Sequence, residues 1–238
     1  MATAQMVTVT TGPMRAIPPM MAATTAESGV ATLDRIGVVQ ILRRNRTLFD
    51  EGAPADHYYK VTSGAVRMVK LLPDGRRHVV EFALPGDFVG LTMSGCHGFA
   101  AEAVVDSTLV RYARRGVEAM MERDPTIGRH FLSIVCKGLS LAQDRQLLLG
   151  RRTAVERIAR FLLDTAERQA GGDGDVALAM ARVDIADHLG LTVETVSRVF
   201  TRLRQDGVIA LSSPTHVVIR DREALEELAD QDVASEAA

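Results

Sequence analysis

The sequence predicts an α+β chain in three parts. These are an N-terminal β-barrel of the double-stranded β-helix or jelly-roll type, a long dimerisation helix, and a C-terminal winged helix-turn-helix. Three observations predict it. Turn markers recur about every ten residues between Gly52 and Asp87. A heptad of apolar residues follows Asp124-Pro125. A glycine then splits two apolar-periodic runs between Arg182 and Gln205.

Residues 1–28 are rich in Ala, Thr, Met and Pro, carry Pro18-Pro19 and show no period, so a disordered tail is expected there. Residues 29–44 are expected to hold a short helix, with Ile36, Val38, Val39, Ile41 and Leu42 apolar. The signals then turn to β. Gly52-Ala-Pro54, Ser63-Gly64, Pro73-Asp-Gly75 and Pro85-Gly-Asp87 punctuate the strands Tyr58–Val61, Ala65–Val69 and His78–Phe82. Short antiparallel strands at this spacing close into a small barrel over 29–123, which could hold a small ligand.

Asp124 caps a helix over 124–150 with Pro125 at its first position. Ile127, Ile134, Leu141 and Leu148 recur every seven residues, with Phe131 and Gly138 between them. That is the spacing of a coiled-coil seam. A two-fold dimer is the expected use, because one helix-turn-helix reads too few base pairs, and a pair reads two half-sites one DNA turn apart. Arg145 falls on the seam register beside Gln143-Asp144, so the contact should turn polar near its end.

The winged domain is placed at 151–230, ahead of an acidic tail at 231–238. A helix is expected over Thr153–Gln169, a loop at Gly171–Gly174 and a short strand through Val176, Leu178 and Met180. Ile185, Ala186 and Leu189 then line the first helix of the motif, and Gly190 supplies the tight turn. Ala181 is a poor cap for that first helix, whereas Thr192 is a good one for the second. Val196, Val199, Phe200 and Leu203 fall at i, i+3, i+4 and i+7, so that face is buried. Glu194, Ser197, Arg198, Thr201 and Gln205 occupy the opposite face. Gly207 ends the helix, and Val208–Leu211 with His216–Ile219 form a hairpin wing around Ser212–Thr215. The wing tip either touches the phosphate backbone or only supports the motif; the sequence favours neither.

The polar face suits a major groove. Arg198 can give two donors to the O6 and N7 of guanine, Glu194 can accept from the N4 of cytosine, and Val193 can rest on a thymine methyl. The contacting residues are therefore expected to be Thr192, Val193, Glu194, Ser197, Arg198 and Thr201, with double-stranded DNA as the partner. No catalytic or metal residue is expected, because no nucleophile–base pair, metal spacing or phosphate loop is present. The net charge of −2 excludes a non-specific basic coat. The charge is uneven, though: arginines gather in the second half while Asp221 to Glu236 is acidic. Two cysteines, Cys96 and Cys136, are too few for a disulfide framework or an iron–sulfur site, and each is expected to be a buried free thiol. A redox role for Cys96 is a weaker alternative. No membrane-length apolar run and no secretion signal is seen, so a cytoplasmic protein is expected.

The order of parts, over about residues 30–228, resembles the CRP/FNR superfamily of bacterial transcription regulators. Asp184–Arg198 carries the resemblance, and Glu194-x-x-Ser197-Arg198 looks like the FNR and FixK branch. Gln143-Asp144 followed by Leu147-Leu-Leu149 looks FNR-like as well. The resemblance implies that Glu194, Ser197 and Arg198 read TTGAT-N4-ATCAA-like palindromes, and that the bound homodimer contacts RNA polymerase as an activator. The departures bear on the signal. No cysteine precedes Cys96, so the FNR iron–sulfur sensor is absent. The segment Phe99-Ala-Ala-Glu102-Ala replaces the Arg-Ser/Thr pair with which cAMP receptors hold the cyclic phosphate, and Glu102 is expected to repel one. A FixK-type regulator that needs no cofactor is the favoured reading. The alternative keeps the DNA role but gates it by a ligand in the barrel or by haem on His78 or His97.

Overall fold

The computed structural model describes residues 33, 36–151, 153–169, 174–213 and 215–230, with the side chains of 144–151 left out. The expected tails at 1–28 and 231–238 and the loop centre at 171–173 therefore lie outside the described residues, as do the side chains of the seam residues Arg145 and Leu148.

Eight strands build the N-terminal part: β1 (Val38–Leu42), β2 (Thr47–Phe49), β3 (His57–Ser63), β4 (Val66–Leu71), β5 (Arg77–Ala83), β6 (Phe88–Val89), β7 (Ala100–Ala103) and β8 (Ser107–Ala113). They pair antiparallel in two four-stranded sheets, ordered β1-β8-β3-β6 and β2-β7-β4-β5. Between the sheets lie Tyr59, Val61, Val66, Ala83, Val89, Ala101, Ala103 and Leu109, all buried. This is the jelly-roll arrangement that the turn spacing predicts.

One expectation fails here. The segment expected to be helical at 29–44 contains the edge strand β1, paired with β8 from Val38↔Arg111 to Leu42↔Ser107. Val38, Val39 and Ile41 are β-branched, which suits a pleated surface better than a helix, and five residues are too few for helical periodicity to decide.

Helix α1 (Arg114–Arg123) leads into α2 (Pro125–Arg151). Asp124 caps α2 through its carboxylate, which accepts from the Thr126 amide at 2.9 Å and the Thr126 hydroxyl at 2.6 Å. The helix has two apolar faces. Ile127 and Phe131 are buried with Leu33, Tyr58, Tyr112 and Val117 of the same chain. Phe131 sits 5.2 Å from the Phe88 ring and 5.9 Å from that of Tyr58. Ile134, Gly138 and Leu141 continue this inner face. At its first two positions the heptad expected to be a dimer seam thus packs α2 onto its own barrel, while Ile134 and Leu141 are half-buried along the cleft and Gly138 is exposed. The outward face carries Leu132, Val135 and Leu139, which are 62%, 53% and 58% exposed.

The C-terminal part comprises α3 (Ala154–Arg168), β9 (Asp175–Ala177), α4 (Arg182–Leu189), α5 (Val193–Gln205), β10 (Ile209–Ser213), β11 (His216–Ile219) and α6 (Arg222–Asp230). A capping box starts α3: the Glu156 amide donates to Thr153 Oγ1, and the Thr153 amide donates to the Glu156 carboxylate. Ile158, Ala159 and Leu162 of α3 pack against Ile185, Val196, Phe200 and Leu203 of the motif. The wing has three strands, β10-β11-β9, because β9 adds to the hairpin antiparallel. The core continues into Val69, Val79, Phe82 and Leu84 of the barrel, so the two parts share apolar contact.

Candidate nucleic-acid interface

Helices α4 and α5 are joined at Gly190, which adopts φ 65° and ψ 38°. This left-handed geometry favours glycine. It lets the Gly190 amide bond back to the Ala186 carbonyl and turns the chain within two residues. Ala186 is buried where the helices meet.

Thr192 caps α5 as the sequence indicates: its Oγ1 accepts from the Thr195 amide at 3.2 Å. Ala181, at the start of α4, makes no side-chain cap. Ala181 is exposed in extended backbone, so Ala181→Ser should stabilise the chain by about 1 kcal/mol. Denaturant unfolding would read this as a higher midpoint at unchanged slope.

Along α5, Val196, Val199, Phe200 and Leu203 are buried. Thr192, Val193, Glu194, Ser197, Arg198 and Thr201 are all exposed. The structure thus brings the six sequence-predicted site residues together on the cap and outward side of one helix. Local contacts order the edge. Thr201 Oγ1 donates to the Ser197 carbonyl at 2.9 Å, and an Arg198 Nη reaches Thr195 Oγ1 at 3.5 Å. At 3.5 Å that contact is weak, which leaves the Arg198 fork available to a stronger acceptor. Arg182 is turned inward instead. Its guanidinium carbon lies 3.5 Å from the centre of the Phe200 ring, and burial lowers its pKa.

A cleft of about 880 Å³ opens between the Pro85–Gly86–Asp87 turn and the inner face of α2. Its charged lining is Glu81, Asp87, Asp164 and Glu167 against Lys137 and Arg168, an excess of acid. Glu102 is not part of that lining. Its carboxylate pairs with Arg67 at 2.7 Å, so the expected repulsion of a phosphate by Glu102 is corrected. His97 is buried and stacked on Phe49 with ring centres 3.6 Å apart, and burial pushes its pKa down. His78 lines an adjoining cavity of about 290 Å³ with Phe82, Phe161 and Met180. Both cysteines are exposed, contrary to expectation: Cys136 lies beside Val135 on the outward side of α2, and Cys96 lies on the loop that bridges to Pro54.

Sequence reasoning missed the acidic face of α4. Asp184 is buried in the first turn, and Asp187 lies one turn on. Their partners, Arg67 and Arg77, are more than a hundred positions away in the chain, as the separations of 117 and 107 show. The available signal was a carboxylate one position from the buried Ile185.

Two family models match the chain. One describes a cyclic nucleotide-binding domain and spans residues 39–124; the other describes a Crp-like helix-turn-helix domain and spans residues 156–228. The nitrogen fixation regulation protein FixK of Rhizobium meliloti is 43% identical over 84% of this chain and 91% of that protein. The chain belongs to the CRP/FNR superfamily of transcription regulators, in its FixK-like branch. The transcriptional activatory protein AadR of Rhodopseudomonas palustris is 41% identical over 76% of this chain and 77% of its own length. The solved structure of FixK2 from Bradyrhizobium japonicum superposes with a TM-score of 0.79 at 39% identity, covering 82% of this chain and 98% of that one. A CRP/FNR regulator is a DNA-binding protein, not an enzyme. Among the described residues, no helix is long and apolar enough to cross a membrane, and no cluster of metal-ligating side chains occurs.

Proposed function

We propose that the chain is a homodimeric activator that binds TTGAT-N4-ATCAA-like palindromes without a bound cofactor, in the cytoplasm, and contacts RNA polymerase there. One observation carries this reading: the solvent-open edge of Glu194, Ser197 and Arg198 on the capped helix α5. Arg198 donates to a guanine, Glu194 accepts from a cytosine, Ser197 bonds a base or phosphate, and Val193 covers a thymine methyl. Thr192 and Thr201 flank this edge and fix the helix through phosphate contacts. The outward stripe of Leu132, Val135 and Leu139 supplies the pairing face, since three large apolar groups at i, i+3 and i+7 form a coiled-coil seam. The name of AadR supports activation.

Arg168, one of the two bases lining the cleft, is already paired with Asp87, which supports operation without a cyclic nucleotide, because that guanidinium is not free for a phosphate. The same cleft, at about 880 Å³, favours a second reading in which a ligand of other chemistry gates DNA binding. Selection of bound sites from random DNA by purified apoprotein tests the first reading. It predicts an inverted repeat with TTGAT-like arms. Enrichment that depends on adding a small molecule would move the account to the second reading, and no enrichment under any condition would reject both.

A further inference from the structure

We propose that Arg67 and Arg77 of the barrel are positioning residues for DNA reading: they clamp helix α4 and thereby fix the direction in which the α5 edge points. The proposal rests on the palindrome-reading function given above. Arg67 lies between two carboxylates, Glu102 of its own barrel at 2.7 Å and Asp184 of α4 at 3.0 Å. Arg77 reaches Asp184 at 2.7 Å, and it holds Asp187 by two donors at 2.8 and 3.0 Å. The network is well shielded, since the Asp184 side chain is 4% exposed and that of Arg67 is 11% exposed.

A carboxylate buried on a helix is costly unless it is paired. Both ion-pair partners of Asp184 come from the barrel, so swinging the reading head away would break both pairs at once. Such a pair adds little net stability over an apolar contact, but its directional bonds specify one docking geometry. Two neighbouring residues reinforce that geometry. His188 Nδ1 lies 2.9 Å from the Val79 carbonyl, which can only accept, so Nδ1 carries the proton. Arg168 donates to the Phe82 carbonyl at 2.8 Å and pairs with Asp87. The tight turn at Gly190 passes the orientation of α4 to α5. Glu194, Ser197 and Arg198 remain exposed while the clamp is closed, so it leaves the reading edge free.

One added base pair rotates a half-site by about 34° and shifts it by about 3.4 Å along the duplex. A clamped head cannot follow that rotation, whereas a released head can. The test uses full-length wild type, Arg77→Ala, Asp187→Ala and Arg77→Lys. Each is titrated on the palindrome, on palindromes with the spacer one base pair shorter or longer, and on a single half-site. Hydrogen exchange of the DNA-free proteins is measured in parallel. Arg77 and Asp187 are only half-buried, so these variants keep the fold; Asp184 is left intact because its replacement could unfold α4.

The expected result is a spacer preference reduced about three- to tenfold in both alanine variants, with partial recovery in Arg77→Lys. Half-site affinity should be unchanged, and the α4 amides should exchange faster. An unchanged spacer profile, or tighter binding of the original palindrome, would overturn the positioning role. Unchanged exchange with intact palindrome preference in wild type also overturns the clamp. Faster exchange with no palindrome preference in wild type instead places the failure in the function reading.

Discussion

Arg198→Ala is expected to weaken palindrome binding by about 1–3 kcal/mol for each half-site. A homodimer carries the substitution twice, so a specific site loses roughly the square of the single-site factor. Arg198 is exposed on α5, and its one hydrogen bond among the described residues is a 3.5 Å contact to Thr195. The guanidinium therefore gives up little when it forks onto the O6 and N7 of a guanine. The variant should keep its melting temperature, because the residue supports no core. It should also lose discrimination at one base pair per arm and keep it elsewhere. Titration against the palindrome and against all single-base variants of one arm would show both effects. Uniform weakening across every sequence would assign Arg198 to a phosphate instead.

Leu132→Asp combined with Leu139→Asp is expected to convert the protein to a monomer and to lower palindrome affinity by about 10²–10⁴. Both side chains are mostly exposed in the single chain, so their replacement costs an isolated protomer little, within about 0.5 kcal/mol. A dimer would instead bury two carboxylates per protomer at an apolar seam, which is strongly unfavourable. The affinity follows because the second half-site is then no longer held at high effective concentration. Sedimentation and titration on the same samples would check this. Ile127→Asp provides the contrast: Ile127 is 1% exposed against the barrel, so that variant should fail by unfolding. A Leu132/Leu139 variant that stays dimeric would move the pairing face elsewhere.

The contrast between Leu132 and Ile127 also shows what the sequence conveyed. Periodicity on α2 announced an apolar face but not which partner covers it. The helix has two such faces, and the first heptad positions, Ile127 and Phe131, belong to the barrel. Separating them requires knowing that Tyr58, Phe88 and Tyr112 reach that side. The winged motif was easier to read because its signals are local. A cap at Thr192, a left-handed glycine at 190 and apolar spacing along α5 are all set within a few residues. Edge strand β1 was misread for a related reason, since a five-residue apolar run fits either period and only its pairing with β8 decides. The ion pairs of Asp184 and Asp187 were invisible because nothing local marks a partner in another domain. Glu102 was legible as a charge, but its direction was not, since Arg67 on the adjacent strand turns it away from the cleft.

Purified apoprotein titrated onto one labelled TTGAT-N4-ATCAA duplex, with a scrambled duplex of equal length as competitor, would show whether a ligand-free pair of protomers reads the palindrome. The prediction is two protomers per duplex and a preference of at least about 10³ over the scrambled sequence, with no small molecule added. One protomer per duplex with equal affinity for both sequences would contradict it.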